Sequence, residues 1–318
     1  MRLEESEKYT AVIRTLGTAG QKYIRLLDSL NAQTLPPEDI IVYIADGYKI
    51  PEGTPGNERY VYVKKGMVAQ RALDYAEVTT DIMLFLDDDV CLEPDAVEEM
   101  LNALRTSGAD VVSPDTFRNS ARSTSGKIIM ALTGRMRPRK DDGKWAYKVM
   151  RNGGYSYNTS PSQKIYLSQT NAGPCFLCRK EDFLKIRFEE ESWLDEVPYA
   201  QGDDQAMFYK MYLYGLKEIT LFTDKVVHLD AGTAMNGTDR DRMRIYADFR
   251  FKTIFWKRFI YGREQSAAWR LVDIICIGSS FVASLAVSFL KFRWGIMRIK
   301  WKGIKDGFRC NIPPYLKR

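Results

Sequence analysis

The sequence predicts an α/β protein built on a parallel sheet, followed by a basic helical tail. Three observations carry this. Between residues 9 and 115, short apolar runs alternate with segments of helical periodicity, the pattern of strand–helix–strand crossovers. Residues 82–86 (IMLFL) lead straight into Asp87, Asp88 and Asp89, as a doubly buried strand does when it ends at a ligand-binding edge. Finally, the net charge of +6 is split: from residue 240 onward 18 Lys+Arg face 5 Asp+Glu, so the last 79 residues carry +13 and the first 239 carry −7.

Residues 9–14 read as the first strand, and Tyr23, Leu26, Leu27 and Leu30 then share one helical face. A second strand covers 40–44 and ends at Ala45-Asp46-Gly47; a third covers 60–63. Residues 67–76 read as a short helix and 82–86 as the fourth strand. The next helix, 94–106, opens on Pro94, turns Val97, Met100, Leu101 and Leu104 inward, and stops before Gly108. Val111 and Val112 begin another strand. Residues 118–165 differ: polar, Gly-rich and weakly periodic, they are expected to form a long mobile segment over the site. The chain is apolar again over 165–179. A helix then starts at Asp203-Asp204 and ends near Gly215, and 226–228 (VVH) is a short strand opening into a loop.

Ionised carboxylates are almost never buried without partners, so the aspartate triplet is not core. On extended chain Asp87 and Asp89 face the same way, an arrangement that suits a hard divalent cation, which would in turn hold nucleotide phosphates. The competing reading is a solvated acidic turn capping the helix at Pro94. Asp203-Asp204 has a similar competitor, an N-cap with a first-turn acid. His228 is the only histidine, and a lone histidine after an apolar run can simply be structural. The five cysteines are an odd number; Cys175 and Cys178 form one CxxC, but Cys91, Cys276 and Cys310 make no second pair. They are expected to be reduced core residues in a reducing compartment. The polar N-terminus, MRLEESEKYT, has no apolar signal segment, so the cytoplasmic side is expected.

A uniformly basic protein would point to nucleic acid, whereas a basic, aromatic tail on an acidic body points to an anionic membrane surface. Residues 274–290 contain 17 uncharged residues, roughly 25 Å of helix against a hydrocarbon core of about 30 Å. Asp273, Ser280, Ser284 and Ser288 draw a polar stripe along it. Arg258, Arg263 and Arg270 precede the segment and Lys291, Arg293, Arg298 and Lys300 follow it, which leaves no charge gradient to orient a crossing. The tail is therefore expected to lie in the interface as a monotopic, peripheral element, with Trp256, Trp269, Trp294 and Trp301 as anchors. The alternative is a helical subdomain packed on the rest of the chain.

The segments AVIRTLG, IADG, the 66–71 stretch, FLDDDV, GDDQAM and VVHLDAGT occur in an order and spacing that resemble the inverting nucleotide-sugar glycosyltransferases of family 2. The resemblance covers roughly residues 9–235. It implies a GT-A (Rossmann-like) fold, a mixed, mainly parallel sheet with helices on both faces. The catalytic domain would be 1–239, with a donor half at about 1–115 and an acceptor half at about 116–239, and 240–318 would be the membrane-association region. Thr15 would lie against the nucleoside, Asp46 would accept a hydrogen bond from the base, and Arg71 would approach the nucleotide. Asp87 would serve the nucleotide and metal pocket, with Asp88 the more variable middle residue. Asp89, with His228 completing the site, would hold Mn2+ or Mg2+. Asp204 matches the catalytic base, while Asp203 stands where the family usually has Glu. Adjacent carboxylates raise each other's proton affinity, which leaves open which of the two is the base.

The implied function is metal-dependent, inverting transfer from a nucleotide-sugar, expected to be UDP-linked, to a glycan or lipid-linked acceptor at the cytoplasmic membrane face. Two other classes share parts of this pattern. A nucleotidyltransferase that makes nucleotide-sugars would carry a Gly-rich, basic loop after the first strand, of which LGTAGQK is a faint version. A non-catalytic, membrane-bound protein on the same scaffold would lack the acidic base, yet Asp204 is present.

Overall fold

The structure, a computed structural model, describes residues 8–117, 143–198, 201–229 and 238–315, together with 128, 130 and 131. The first half builds the centre of the sheet from β1 (Tyr9–Thr15), β2 (Asp39–Ala45), β3 (Glu58–Val63) and β4 (Ile82–Asp87). These run parallel, and β1 sits between β2 and β4. Helix α1 (Gln21–Asn31) follows β1; β5 (Val90–Leu92) and α2 (Ala96–Ser107) follow β4. Beyond β6 (Val111–Pro114) come β7 (Trp145–Val149), β8 (Tyr155–Tyr157), β9 (Ile165–Ser168) and β10 (Cys175–Arg179). After α3 (Lys180–Lys185), a 3-10 segment (Phe188–Glu196) and α4 (Asp203–Tyr214), β11 (Glu218–Leu221) re-enters the sheet, and β12 (Val226–His228) pairs with β5. The main sheet has the order β3-β2-β1-β4-β10-β6-β11-β9-β7-β8, with β10 antiparallel to both neighbours.

Strand β4 shows why the sheet is covered on both faces. Ile82, Leu84 and Leu86 join one core cluster with Tyr23, Leu26, Leu27 and Leu30 of α1 and Val97, Met100, Leu101 and Leu104 of α2. Met83 and Phe85 point the other way, into a cluster with Trp193 and with Met207, Phe208 and Met211 of α4. Each face of the pleat thus meets its own helical layer. Cys175 and Cys178 are buried, one in each cluster, and the burial pushes both thiols up.

Two stretches differ from the sequence expectation. Residues 67–76 are a chain of turns rather than a helix. The backbone N–H groups of Val68 and Ala69 donate to the Asp195 carboxylate at 3.0 and 2.9 Å, and Tyr75 adopts a left-handed φ of 52° that stops helical propagation. Within 118–165, residues 118–127 and 132–142 lie outside the described residues, but 145–149 and 155–157 are paired strands at one end of the sheet. Ala146 and Tyr147 pack with Tyr166 and Tyr157 in a small cluster of their own, and Val149 joins the larger one, so short apolar patches between polar residues suffice to anchor them.

The tail does not stand apart from this core. Helix α5 (Thr238–Phe255) runs into a π-helical turn (Trp256–Tyr261), and α6 (Ala267–Leu290) and α7 (Trp294–Arg309) follow. Phe251, Ile254, Phe255, Phe259 and Tyr315 belong to the same cluster as Phe208 and Trp193. Arg258 donates Nε and Nη2 to the two oxygens of the buried Glu191, both at 2.8 Å, and Nη1 to the Pro313 carbonyl at 2.7 Å. Lys210 of α4 joins Glu191 at 2.9 Å.

Helix α6 has 24 residues, about 36 Å at 1.5 Å per residue, and is apolar enough to cross a membrane by length and composition alone. It is longer than the 274–290 run because it starts at Ala267, where the Ser266 hydroxyl accepts from the Trp269 N–H. Of the two charges inside it, Asp273 is buried and paired with Arg151 at 2.8 Å and Arg270 donates to the Glu264 carbonyl at 2.6 Å, while Asn152 donates to Ser280 at 2.7 Å. On α7, Lys300 donates to the Ser284 hydroxyl at 2.9 Å. One side of α6 is thus pinned to the protein from Asp273 to Ser284. Leu271, Ile275, Val282 and Leu290 are all exposed on it.

Candidate active site

The parallel strands β1, β2 and β4 end together, and their C-terminal edge gathers the acidic and basic groups. Arg14 lies on β1 directly opposite Asp87 on β4. Its Nε and Nη2 donate to the two oxygens of Asp87 at 2.5 and 3.1 Å, and its Nη1 lies 3.5 Å from Asp203. Arg71, only 2% exposed, sits beneath the same group. Its Nη1 meets Asp203 at 3.0 Å and Asp204 at 2.6 Å, and its Nη2 lies 3.5 Å from Asp87 and donates to the Gly173 carbonyl at 3.1 Å. Three carboxylates on two elements are therefore organised by two guanidiniums, whose planar forks suit such shared recognition.

Asp203 and Asp204 open α4, so the helix N-terminus adds its partial positive charge to the arginines. Gly202 caps the helix at φ 80°, and the Phe251 ring of α5 packs where its side chain would be. Gly173 is needed for a similar reason: a Cβ there would overlap the Asp204 carboxylate, whose Oδ2 accepts from the Gly173 N–H at 3.2 Å. The two aspartates are not equivalent. The side chain of Asp204 is 25% exposed and that of Asp203 8%, so Asp204 is the one that can meet a second substrate. Burial, and then the neighbouring Asp204 charge, push Asp203 up to about 6 against the pull of Arg71 and Arg14. For Asp87, burial would raise the pKa, but Arg14 and then Arg71 outweigh it and hold the group below the usual carboxylate value.

Strand alternation stops at Asp87, because 88–89 form a turn before β5. Asp87 is held by the two arginines and Asp89 contacts His228, whose charge also helps to lower the Asp87 pKa. Asp89 Oδ1 lies 3.1 Å from His228 Nε2, and the β5–β12 pairing holds that contact in place, with the Leu229 N–H donating to the Asp89 carbonyl at 2.7 Å. Asp88 accepts from the Thr15 hydroxyl at 2.5 Å, and burial pushes it up to about 6 in spite of that bond. Thr15 in turn receives the Gly17 N–H at 2.7 Å. Asp46 is exposed at the end of β2, its own N–H bonded to the Val63 carbonyl at 2.8 Å.

Among the described residues, no three His, Cys, Asp or Glu side chains converge as a metal centre. The Asp89–His228 pair nevertheless suits a divalent cation. Cis ligands at about 2.1 Å from an octahedral ion stand about 3 Å apart, close to the observed spacing, and a carboxylate with an imidazole is an ordinary donor set. Asp87 Oδ2 carries a single described hydrogen bond, from Arg14 Nη2, and so keeps acceptor capacity for the same ion.

Arg14 lies within AVIRTLG without a role assigned to it there, and Gly173 and Asp195 lie in none of the quoted segments. Arg14 had a signal: a guanidinium inside an otherwise apolar strand must find a carboxylate. Gly173 and Asp195 act by close approach from distant parts of the chain and leave no local trace.

No curated protein matches this chain by sequence. Among solved structures, residues 1–349 of S. aureus TarS in complex with UDP-GlcNAc superpose with a TM-score of 0.52 at 12% identity, over 95% of this chain and 81% of that one. GalNAc-T7 with UDP, GalNAc and Mn2+ gives 0.51 at 13% identity, over 90% of this chain and 58% of that one. At such identities the likeness is one of fold, the GT-A arrangement of a mixed, mainly parallel sheet with helices on both faces. The sequence profile of glycosyl transferase family 2 matches residues 21–186, just over half of the 318 residues. The chain is a glycosyltransferase and belongs to glycosyl transferase family 2.

Proposed function

We propose that the chain transfers a sugar from a nucleotide-sugar, a UDP-sugar in the first instance, to a glycan or lipid-linked acceptor with inversion at the anomeric carbon. The observation that carries this reading is Asp204: at a helix N-terminus, partly open, and fixed by Arg71 and Gly173 beside Asp87. An acceptor hydroxyl that reaches Asp204 gives up its proton to the carboxylate as its oxygen attacks the anomeric carbon. The bond to the diphosphate breaks on the opposite face, so one displacement inverts the configuration and no covalent enzyme intermediate is needed. Asp203, more buried and held by two arginines, orients Arg71 and modulates Asp204.

Asp89 and His228, with Asp87 from the end of β4, would hold a divalent cation, Mn2+ or Mg2+. Such an ion offsets charge on a diphosphate leaving group. Thr15, Asp46 and Asp88, at the ends of β1, β2 and β4, and Arg71, in the turns that follow β3, remain the groups assigned to the nucleotide side. Support comes from UDP-GlcNAc in the TarS structure and from UDP and Mn2+ in that of GalNAc-T7. In this reading residues 1–239 perform the chemistry and 240–318 supply contact with the cytoplasmic face of an anionic membrane, through the outward side of α6 and the tail's basic residues. The test is a panel of nucleotide-sugars assayed for hydrolysis and thermal stabilisation, with and without Mn2+. One donor should stand out and require the metal; no response to any nucleotide-sugar would overturn the proposal.

A further inference from the structure

Helices α5, α6 and α7 enclose a groove of about 410 Å3 beside the turn that joins α6 to α7. It lies on a different face of α5 from the one that packs on the core: Phe249 and Lys252 line it, whereas Phe251 and Phe255 look inward. Four cations reach it (Lys252, Lys291, Arg293 and Lys300) against a single carboxylate, Asp248. Lys252 and Lys300 sit over the same Phe249 ring, 5.1 and 5.3 Å from its centroid. Asp248 is bound to Lys252 at 2.6 Å, while Lys300 has the Ser284 hydroxyl and carbonyl at 2.9 and 3.1 Å, both neutral. Burial, and then the nearby Lys252 charge, lower the Lys300 pKa, as expected where positive charge is under-compensated.

The groove's other character is apolar. Val287 and Ile296 form part of its wall. Leu290 and Phe292, at the adjoining turn, are 73% and 80% exposed. Phe292 also takes a left-handed φ of 54°, a conformation that non-glycine residues adopt only at an energetic cost. Backbone strain that holds an aromatic ring out in solvent, next to a crowded set of cations, fits a ligand with an anionic head and an apolar tail.

We propose that this groove binds the phosphate head of an anionic membrane lipid, with its acyl chain passing out along Val287 and Leu290. The proposal rests on the membrane contact put forward above, but it names a discrete site where that reading needs only a surface. A diffuse basic field would depend on total charge. A site depends on these particular residues.

The test uses the full-length chain and monomeric dihexanoyl phosphatidic acid, kept below its micelle concentration and titrated by calorimetry. Saturable binding of one lipid per chain is expected. Lys252→Gln with Lys300→Gln should weaken it roughly tenfold or more, since charge-assisted hydrogen bonds are lost. Val287→Trp, which fills the groove and leaves every charge in place, should weaken it to a similar degree and guards against a folding artefact in the double variant. Lys302→Gln with Lys305→Gln removes equal charge from α7 outside the groove and should change binding less than about twofold. Equal weakening by both double variants, inorganic phosphate binding as tightly as the lipid, or no saturable binding by the intact chain would each overturn the proposal. Phosphatidylcholine vesicles without anionic lipid separate the two ideas, because binding to them reports the apolar face of α6 alone.

Discussion

Arg14 and Asp87 are register partners on neighbouring parallel strands, and the arginine holds both oxygens of that carboxylate. A sheet position is more rigid than a loop position, so this pair sets the orientation of Asp87 before any ligand arrives. Arg71 extends the same order to Asp203 and Asp204, which lie more than a hundred residues later in the chain. The acidic groups are thus fixed relative to one another by two guanidiniums.

Replacing Arg14 should therefore disturb both stability and turnover. Arg14→Gln leaves Asp87 without its bidentate partner, at a cost of roughly 1–3 kcal/mol, and turnover should fall about tenfold or more. Arg14→Lys should recover little, because an ammonium cannot span both oxygens. Melting curves and initial rates would check this, and wild-type values for Arg14→Gln would refute it.

Asp204→Asn preserves shape but removes a competent base, so turnover should drop roughly 10²-fold or more while donor binding persists. Gly173→Ala should produce the same signature by displacing the carboxylate. If Asp203→Asn shows the larger loss with binding intact, the base is the other aspartate.

Asp89→Ala should abolish metal-dependent donor binding and transfer while the melting temperature holds. Its partner His228 should give a milder loss as His228→Ala, since one ligand of the pair would remain. Full activity in excess chelator would count decisively against an ion at this site.

Glu218 offers a pH test remote from the chemistry. It is buried on β11, one of its oxygens has no hydrogen-bond partner, and burial raises its pKa well above the usual glutamate value. Between the unfolded value of about 4.3 and the higher folded one, the native state holds the proton that the unfolded chain releases. Stability therefore falls as pH rises through that window. Glu218→Gln should flatten this slope and raise the melting temperature at neutral pH; an unchanged slope would show that Glu218 is charged in the fold.

On the outward side of α6, Ile275→Glu combined with Val282→Glu should abolish vesicle binding and leave donor hydrolysis within about twofold, because both side chains are exposed and far from any packing role. Vesicle flotation and a hydrolysis assay read the two properties separately. Retained flotation would mean that another surface makes the contact.

Local patterns made the strands at 9–14, 40–44 and 82–86 and the helices carrying Leu26 and Met100 legible, because each buries one periodic face. The aspartate motifs were legible for the opposite reason: charge at the end of an apolar run has no other explanation. Where sequence reading failed, distant residues had decided the outcome. Asp195 binds the N–H groups of Val68 and Ala69 and turns an apparent helix into a series of turns. Arg71 stood out in the sequence as part of the 66–71 stretch, but its place under Asp203 and Asp204 depends on packing across 132 residues of chain. The true start of α6 was hidden because Arg270 and Asp273 interrupt the apolar run; within the helix Asp273 is paired with Arg151.

The tail is fastened at both ends. Arg258, in the π-helical turn after α5, binds Glu191, and at the other end Tyr315 packs in the same cluster as Phe208, its N–H on the Arg258 carbonyl at 2.9 Å. A layer held in this way cannot swing on a linker. For a chain resting on a bilayer through α6, the height of Asp204 above the lipid is then a constant of the fold. Acceptor choice becomes partly a matter of depth: a hydroxyl presented at that height is within reach, and the same hydroxyl on a longer or shorter stem is not.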